Sequence, residues 1–100
     1  MRILAIERPV PGVSEGQFTA ELAIAESRRV WELHQAGTIR DLYFRADESS
    51  AVLVMECEDV AAAGSVLASL PLVAAGFIEF EVLPLKAYPG FGRLFAPETD

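Results

Sequence analysis

On a helical wheel at about 100° per residue, Phe18, Leu22, Ala25, Val30, Leu33 and Ala36 form one broad apolar arc, and Glu26 and Arg29 fall inside it. A carboxylate among core side chains is costly unless it is paired, hydrogen-bonded or protonated. Glu26 is therefore expected to hold its proton differently from a surface glutamate. A poised carboxyl is what a group acting first as base and then as acid requires. Arg29 lies one turn on, at i,i+3, close enough to offset part of the cost. A purely structural Glu26–Arg29 ion pair at the edge of the stripe explains the same spacing.

Other ionisable groups are less informative. In the run from Ile39 to Arg45, Arg40, Leu42 and Phe44 share one side of a strand, and Asp41, Tyr43 and Arg45 the other. Alternation leaves open which of Arg40 and Tyr43 enters a cavity. Glu79 and Glu81 share a strand face, with Glu7 expected beside them if that strand pairs with the first. Such a cluster reads as an acid/base site or, more simply, as a solvated sheet edge. His34, the only histidine, sits near a helix C-terminus, where a cation is favoured by the dipole; nothing else argues for a haem pocket. Cys57 is the only cysteine and lies in an apolar run, which reads as a core thiol and leaves no disulfide or zinc framework.

Composition narrows the partners. Eight basic against fifteen acidic residues give a net charge of −7, without a Lys/Arg cluster, which makes nucleic acid and anionic membrane poor partners. An anionic ligand must then be held by a local arginine, whose planar fork suits carboxylates. No apolar run is long enough to span a bilayer, and no signal peptide is apparent at the N-terminus, so a cytoplasmic location is expected.

The elements that position these residues follow from pattern. Arg2 to Arg8 reads as a strand closed by Pro9, Pro11 and Gly12. Ser14 with Gln17 forms a capping box opening a helix to Ala36, with Gly37 as its cap. Strands Ile39 to Arg45 and Ala51 to Cys57 form a hairpin around Asp47–Ser50. A second helix runs from Val60 to about Leu70, stopped by Pro71, and Phe77 to Leu83 is the last strand. The order βαββαβ predicts an α+β, ferredoxin-like domain: a four-stranded antiparallel sheet with two helices on one face. One hundred residues allow a single domain, with a core over about 2–85 and an arm over 86–100 that packs on a neighbour and ends in a disordered tail from Pro97. The strand Ala51 to Cys57 is apolar on both sides, and Ala20, Ile24 and Trp31 form a second patch on the first helix. Both features point to self-association.

The chain resembles the muconolactone Δ-isomerase family. The resemblance runs from about Leu22 to Leu83 and rests on Glu26, on "AGTIRDLYFRA" (36–46) and on "LASLPLVAAGFIEFEVLPL" (67–85). It implies a dimeric α+β barrel, in which two sheets meet face to face, often within a larger ring of subunits. It also implies cofactor-free isomerisation, by a 1,3-proton shift, of a small unsaturated lactone carrying a carboxylate. Glu26 matches a family glutamate and would be catalytic; Arg40, Tyr43 and Arg29 would bind the anionic substrate. No metal or cofactor is expected. Two alternatives are a polyketide cyclase or cofactor-free monooxygenase on the same barrel, and a non-catalytic ligand-binding or assembly protein.

Overall fold

The computed structural model describes residues 1–13 and 18–95. Strand β1 (Arg2–Pro9) is the β-branched and aliphatic opening run, and the chain leaves it through Gly12, whose φ of 83° suits only glycine. Helix α1 spans Ala20–Gln35. The capping box at Ser14 and Gln17 lies outside the described residues, and the helix begins later than expected. Thr19 is extended, and its Oγ1 accepts the Leu22 N–H at 3.1 Å, satisfying one of the free amides of the first turn. At the other end Gly37 adopts φ 82°, which lets the Thr38 N–H close back on the Leu33 carbonyl at 3.0 Å.

Strands β2 (Ile39–Phe44) and β3 (Ala51–Glu56) form the expected hairpin. Helix α2 (Val60–Ala68) is capped by Asp59, whose Oδ1 accepts the Ala62 N–H at 2.8 Å. Pro71 does more than stop this helix: it sits at the first position of a separate turn, α3 (Pro71–Ala74), where a missing N–H costs nothing and φ is already set. Leu70, fully buried, pins the corner between α2 and α3. Strand β4 covers Ile78–Pro84. The following segment, expected to lack regular structure, contains a 3₁₀ turn at Pro89–Phe91 and one helical turn, α4 (Gly92–Phe95); the tail from Pro97 lies outside the described residues.

The sheet order is β2-β3-β1-β4, and every neighbouring pair is antiparallel. This is the ferredoxin-like α+β arrangement, with β1 central because it pairs with both β3 and β4. Register fixes the faces. Ile3 opposes Met55, Ala5 opposes both Leu53 and Val82, and Glu7 opposes Phe80, so these side chains share the helix-covered side. There Ile3, Ala5, Ile39, Leu53 and Met55 form one core with Leu33 of α1, Ala63 and Leu67 of α2, and Leu70. Each fully buried leucine or isoleucine stabilises by about 1.5–3 kcal/mol relative to exposure. The opposite face carries Leu4, Ile6, Val52 and Val54, all half-buried. Among the described residues no helix is long and apolar enough to cross a membrane.

Candidate active site

Between α1 and the rim of the sheet at β2 lies a cleft of about 730 Å³, a size that suits a small organic molecule. Its floor is apolar: Val30 of α1, Leu53 of β3, Phe80 of β4, and Leu70 and Leu72 at the α2–α3 corner. Polar groups enter from α1, β1 and β2.

Glu26 projects from α1 into this cleft, half-buried. Its Oε1 accepts the Leu72 N–H at 2.9 Å. That amide belongs to the first turn of α3, whose N-cap Leu70 has no side chain able to cap it, so the glutamate completes the turn from a neighbouring helix. Burial raises the carboxyl above its ordinary range; the Leu72 hydrogen bond opposes this, and the charge of Glu7 adds to it.

The Glu26–Arg29 ion pair expected from the spacing does not form. Arg29 Nε donates instead to Ser69 Oγ at 3.1 Å, at the C-terminal cap of α2, and Arg29 does not line the cleft. The two side chains leave α1 for different neighbours: the α3 amide needs an acceptor, and the Ser69 hydroxyl accepts from the guanidinium. Glu26 therefore has no arginine partner among the described residues.

A bulge settles the strand-face question. Ile39 opposes Met55 but Asp41 opposes Val54, so Arg40 is an extra residue on β2. The shift puts Ile39, Leu42 and Phe44 toward the helices, and Asp41 and Tyr43 toward the other face. Simple alternation is thus broken at the arginine. Since β2 is the edge strand, the cleft runs around it, and both Arg40 and Tyr43 border it. Arg40 Nε donates to the Gly37 carbonyl at 2.7 Å, which anchors the side chain by one nitrogen.

Three further groups reach the same cleft. Trp31, expected in a patch with Ile24, borders the cleft whereas Ile24 does not. His34 Nδ1 donates to the Ile39 carbonyl at 2.9 Å, tying the end of α1 to β2, and its ring also lines the cleft. Glu7 is the residue that sequence reasoning misplaced. Arg8 opposes Glu79 and Ile6 opposes Glu81, so Glu79 and Glu81 lie on the far face, where Glu81 pairs with Arg8 at 2.5 Å. Glu7 lies on the helix side, with Oε1 accepting the Ala51 N–H at 3.0 Å. The period-2 parity of Ile3, Ala5 and Glu7 was the available signal. Cys57 is half-buried and packs against the core, and burial pushes its thiol up. No group of three or more His, Cys, Asp or Glu able to hold a metal occurs among the described residues.

The arrangement is one desolvated carboxyl over an apolar floor, a second carboxylate on the facing strand, and an arginine and a tyrosine at the rim. It suits proton transfer on a small anionic molecule. Comparison with known proteins bears on the fold and the family. Among solved structures, a muconolactone isomerase superposes with a TM-score of 0.70 at 22% identity, over 100% of this chain and 98% of that one. A 5-chloro-2-hydroxyhydroquinone dehydrochlorinase from Burkholderia phenoliruptrix, in complex with 2,5-dihydroxybenzoquinone, superposes with a TM-score of 0.65 at 19% identity, over 90% of this chain and 98% of that one. Both neighbours are enzymes, and at these identities the likeness speaks for the fold. No curated protein matches the chain. The family model of muconolactone delta-isomerase, however, matches residues 4–90, nearly the whole chain, and the protein accordingly belongs to that family.

Proposed function

We propose that the protein is a cofactor-independent isomerase of a small unsaturated lactone carrying a carboxylate, acting by a 1,3-proton shift. The observation that carries this reading is Glu26, half-buried over an apolar floor and held by the Leu72 amide, with its proton affinity raised by desolvation. A carboxyl in that setting sits nearer to the working range of a general acid/base than a solvated one. The carboxylate removes a proton from a ring carbon next to the conjugated system, the electron pair spreads into the carbonyl as a dienolate, and a proton returns at a different carbon. The double bond has moved, and no net proton is consumed. Arg40 has terminal nitrogens left after its Nε–Gly37 bond, and these bind the substrate carboxylate or the developing oxyanion. Tyr43 closes the rim and offers a hydroxyl.

A second copy of the chain belongs to this proposal. Leu4, Ile6, Val52 and Val54 present an apolar sheet face over which no helix packs among the described residues, and Leu94 and Phe95 on the C-terminal arm are 73% and 84% exposed. Burying both against a partner is the simplest way to remove them from water.

Turnover of muconolactone by the purified protein, followed by the ultraviolet absorbance of its ring, tests the reading. Glu26→Gln keeps an oxygen for the Leu72 N–H and removes the titrating group. It is expected to fold normally and to lose about 10²–10⁴-fold in kcat. Undiminished turnover in that variant would remove Glu26 from the reaction.

A further inference from the structure

The reaction proposed above needs only one carboxyl, but beside Glu26 the cleft is lined by Glu7 of β1 and, at its β2 rim, by Asp41. We propose that Glu7 is a second catalytic carboxylate, so that the proton leaves the substrate on Glu7 and is replaced from Glu26. This inference rests on the isomerase reading for its substrate and on the geometry for everything else.

Glu7 and Glu26 come from different walls of the cleft, β1 and α1. Each is fastened in the same way: Oε1 accepts one backbone N–H, from Ala51 at 3.0 Å and from Leu72 at 2.9 Å. Among the described residues neither second oxygen has a hydrogen-bond partner, and neither group is in an ion pair. The cations that sequence places beside them are engaged elsewhere, Arg8 with Glu81 on the opposite sheet face and Arg29 with Ser69. The charged and titratable groups that face the cleft from β2 are Arg40, Asp41 and Tyr43, and from α1 also His34. His34 is eight residues beyond Glu26, about 12 Å along the helix axis. The lining from β3, β4 and α3 is apolar.

Glu7 and Glu26 face one apolar cleft and neither is in an ion pair among the described residues, so the charge of Glu7 opposes ionisation of Glu26. Burial is the largest cause raising the proton affinity of Glu26, and the Leu72 hydrogen bond works against it. In the proposed cycle Glu7 serves as the base and Glu26, whose proton affinity burial raises, serves as the acid. Glu7 takes H⁺ from the first carbon, breaking its C–H bond. The electron pair shifts through the conjugated system, and Glu26 gives H⁺ to the second carbon to form the new C–H bond. The pair ends with its proton on the other partner, and transfer between the two carboxyls, directly or through water, resets it.

The deciding experiment follows the carboxyl ¹³C resonances of Glu7 and Glu26 by NMR across an acid titration, in the wild type and in Glu7→Gln. The expected result is a two-step, coupled titration in the wild type, and in the variant a single Glu26 step whose midpoint has fallen toward the ordinary carboxylate range. A Glu26 curve unchanged by Glu7→Gln overturns the pair, whether or not muconolactone is a substrate. If the wild type turns over muconolactone, Glu7→Gln is expected to lower kcat at least 100-fold with little change in KM, while Glu79→Gln on the other sheet face leaves it unchanged. Full activity in Glu7→Gln, or deuterium carried from the first substrate carbon to the second, would return both proton transfers to Glu26 alone. Absence of wild-type turnover with an intact coupled titration faults the substrate assignment and not the pair.

Discussion

At the scale of single residues, the protein places a carboxyl where water cannot fully solvate it and then supplies one backbone amide in partial compensation. The consequence for stability has a definite sign. Glu26 binds its proton more tightly folded than unfolded, so between the ordinary glutamate pKa and the raised folded one the native state carries the extra proton. Stability therefore falls as pH rises through that window, and above it the cost of the buried charge is fully present. Glu26→Gln is expected to remove this part of the pH dependence and to be more stable than the wild type above the window; urea melts at a series of pH values would show it. An equal slope in both proteins would mean that the carboxyl is not desolvated. Arg40 makes a different prediction. Its Nε bond to Gly37 holds the guanidinium at the rim, and removing a charge-assisted contact to a bound anion costs about 1.5–3 kcal/mol. Arg40→Ala should raise KM roughly 10- to 100-fold, measured by initial rates with muconolactone.

Among the elements, the two ends of α1 decide whether its cleft-lining residues are presented at all. The N-terminus depends on the Thr19 hydroxyl and the C-terminus on a left-handed Gly37. Thr19→Ala should lose about 1 kcal/mol of unfolding free energy, and Gly37→Ala about 1 kcal/mol or more from backbone strain, both read from denaturant midpoints. Gly37→Ala carries a second effect, because the Gly37 carbonyl anchors Arg40; a rise in KM should accompany the loss of stability. The short turn α3 matters for the same reason. It exists because Pro71 starts it and Leu70 is buried before it, and its Leu72 amide is the only hydrogen-bond donor to Glu26 among the described residues.

On the scale of the whole molecule, the unbalanced surfaces are the open sheet face and the C-terminal arm. Val54 sits in the middle of that face, opposite Leu4. In the proposed assembly Val54→Asp would bury an unpaired charge, so it should shift the protein to monomer in analytical ultracentrifugation while leaving its circular dichroism unchanged. A wild type that is already monomeric at working concentration would refute the assembly. In the arm the Tyr88 and Phe91 rings meet edge to face at 5.2 Å, and a Cβ at Gly90 would meet the exposed Tyr88 ring, which would have to swing aside.

Patterns of short range carried much of this in the sequence. Hydrophobic period, turn residues and proline positions were enough for βαββαβ and hence for the sheet and its covered face, because each depends on a few consecutive residues. Glu26 stood out for the same reason, as a charge within one helical stripe. Pairing across the chain decided the rest. The bulge at Arg40 exists only against β3, the sorting of Glu7 from Glu79 and Glu81 follows from the β1–β4 register, and Arg29 turned to Ser69 because α2 ends beside it. Contacts between residues distant in sequence are fixed by packing free energy over the whole core, and no local window contains it.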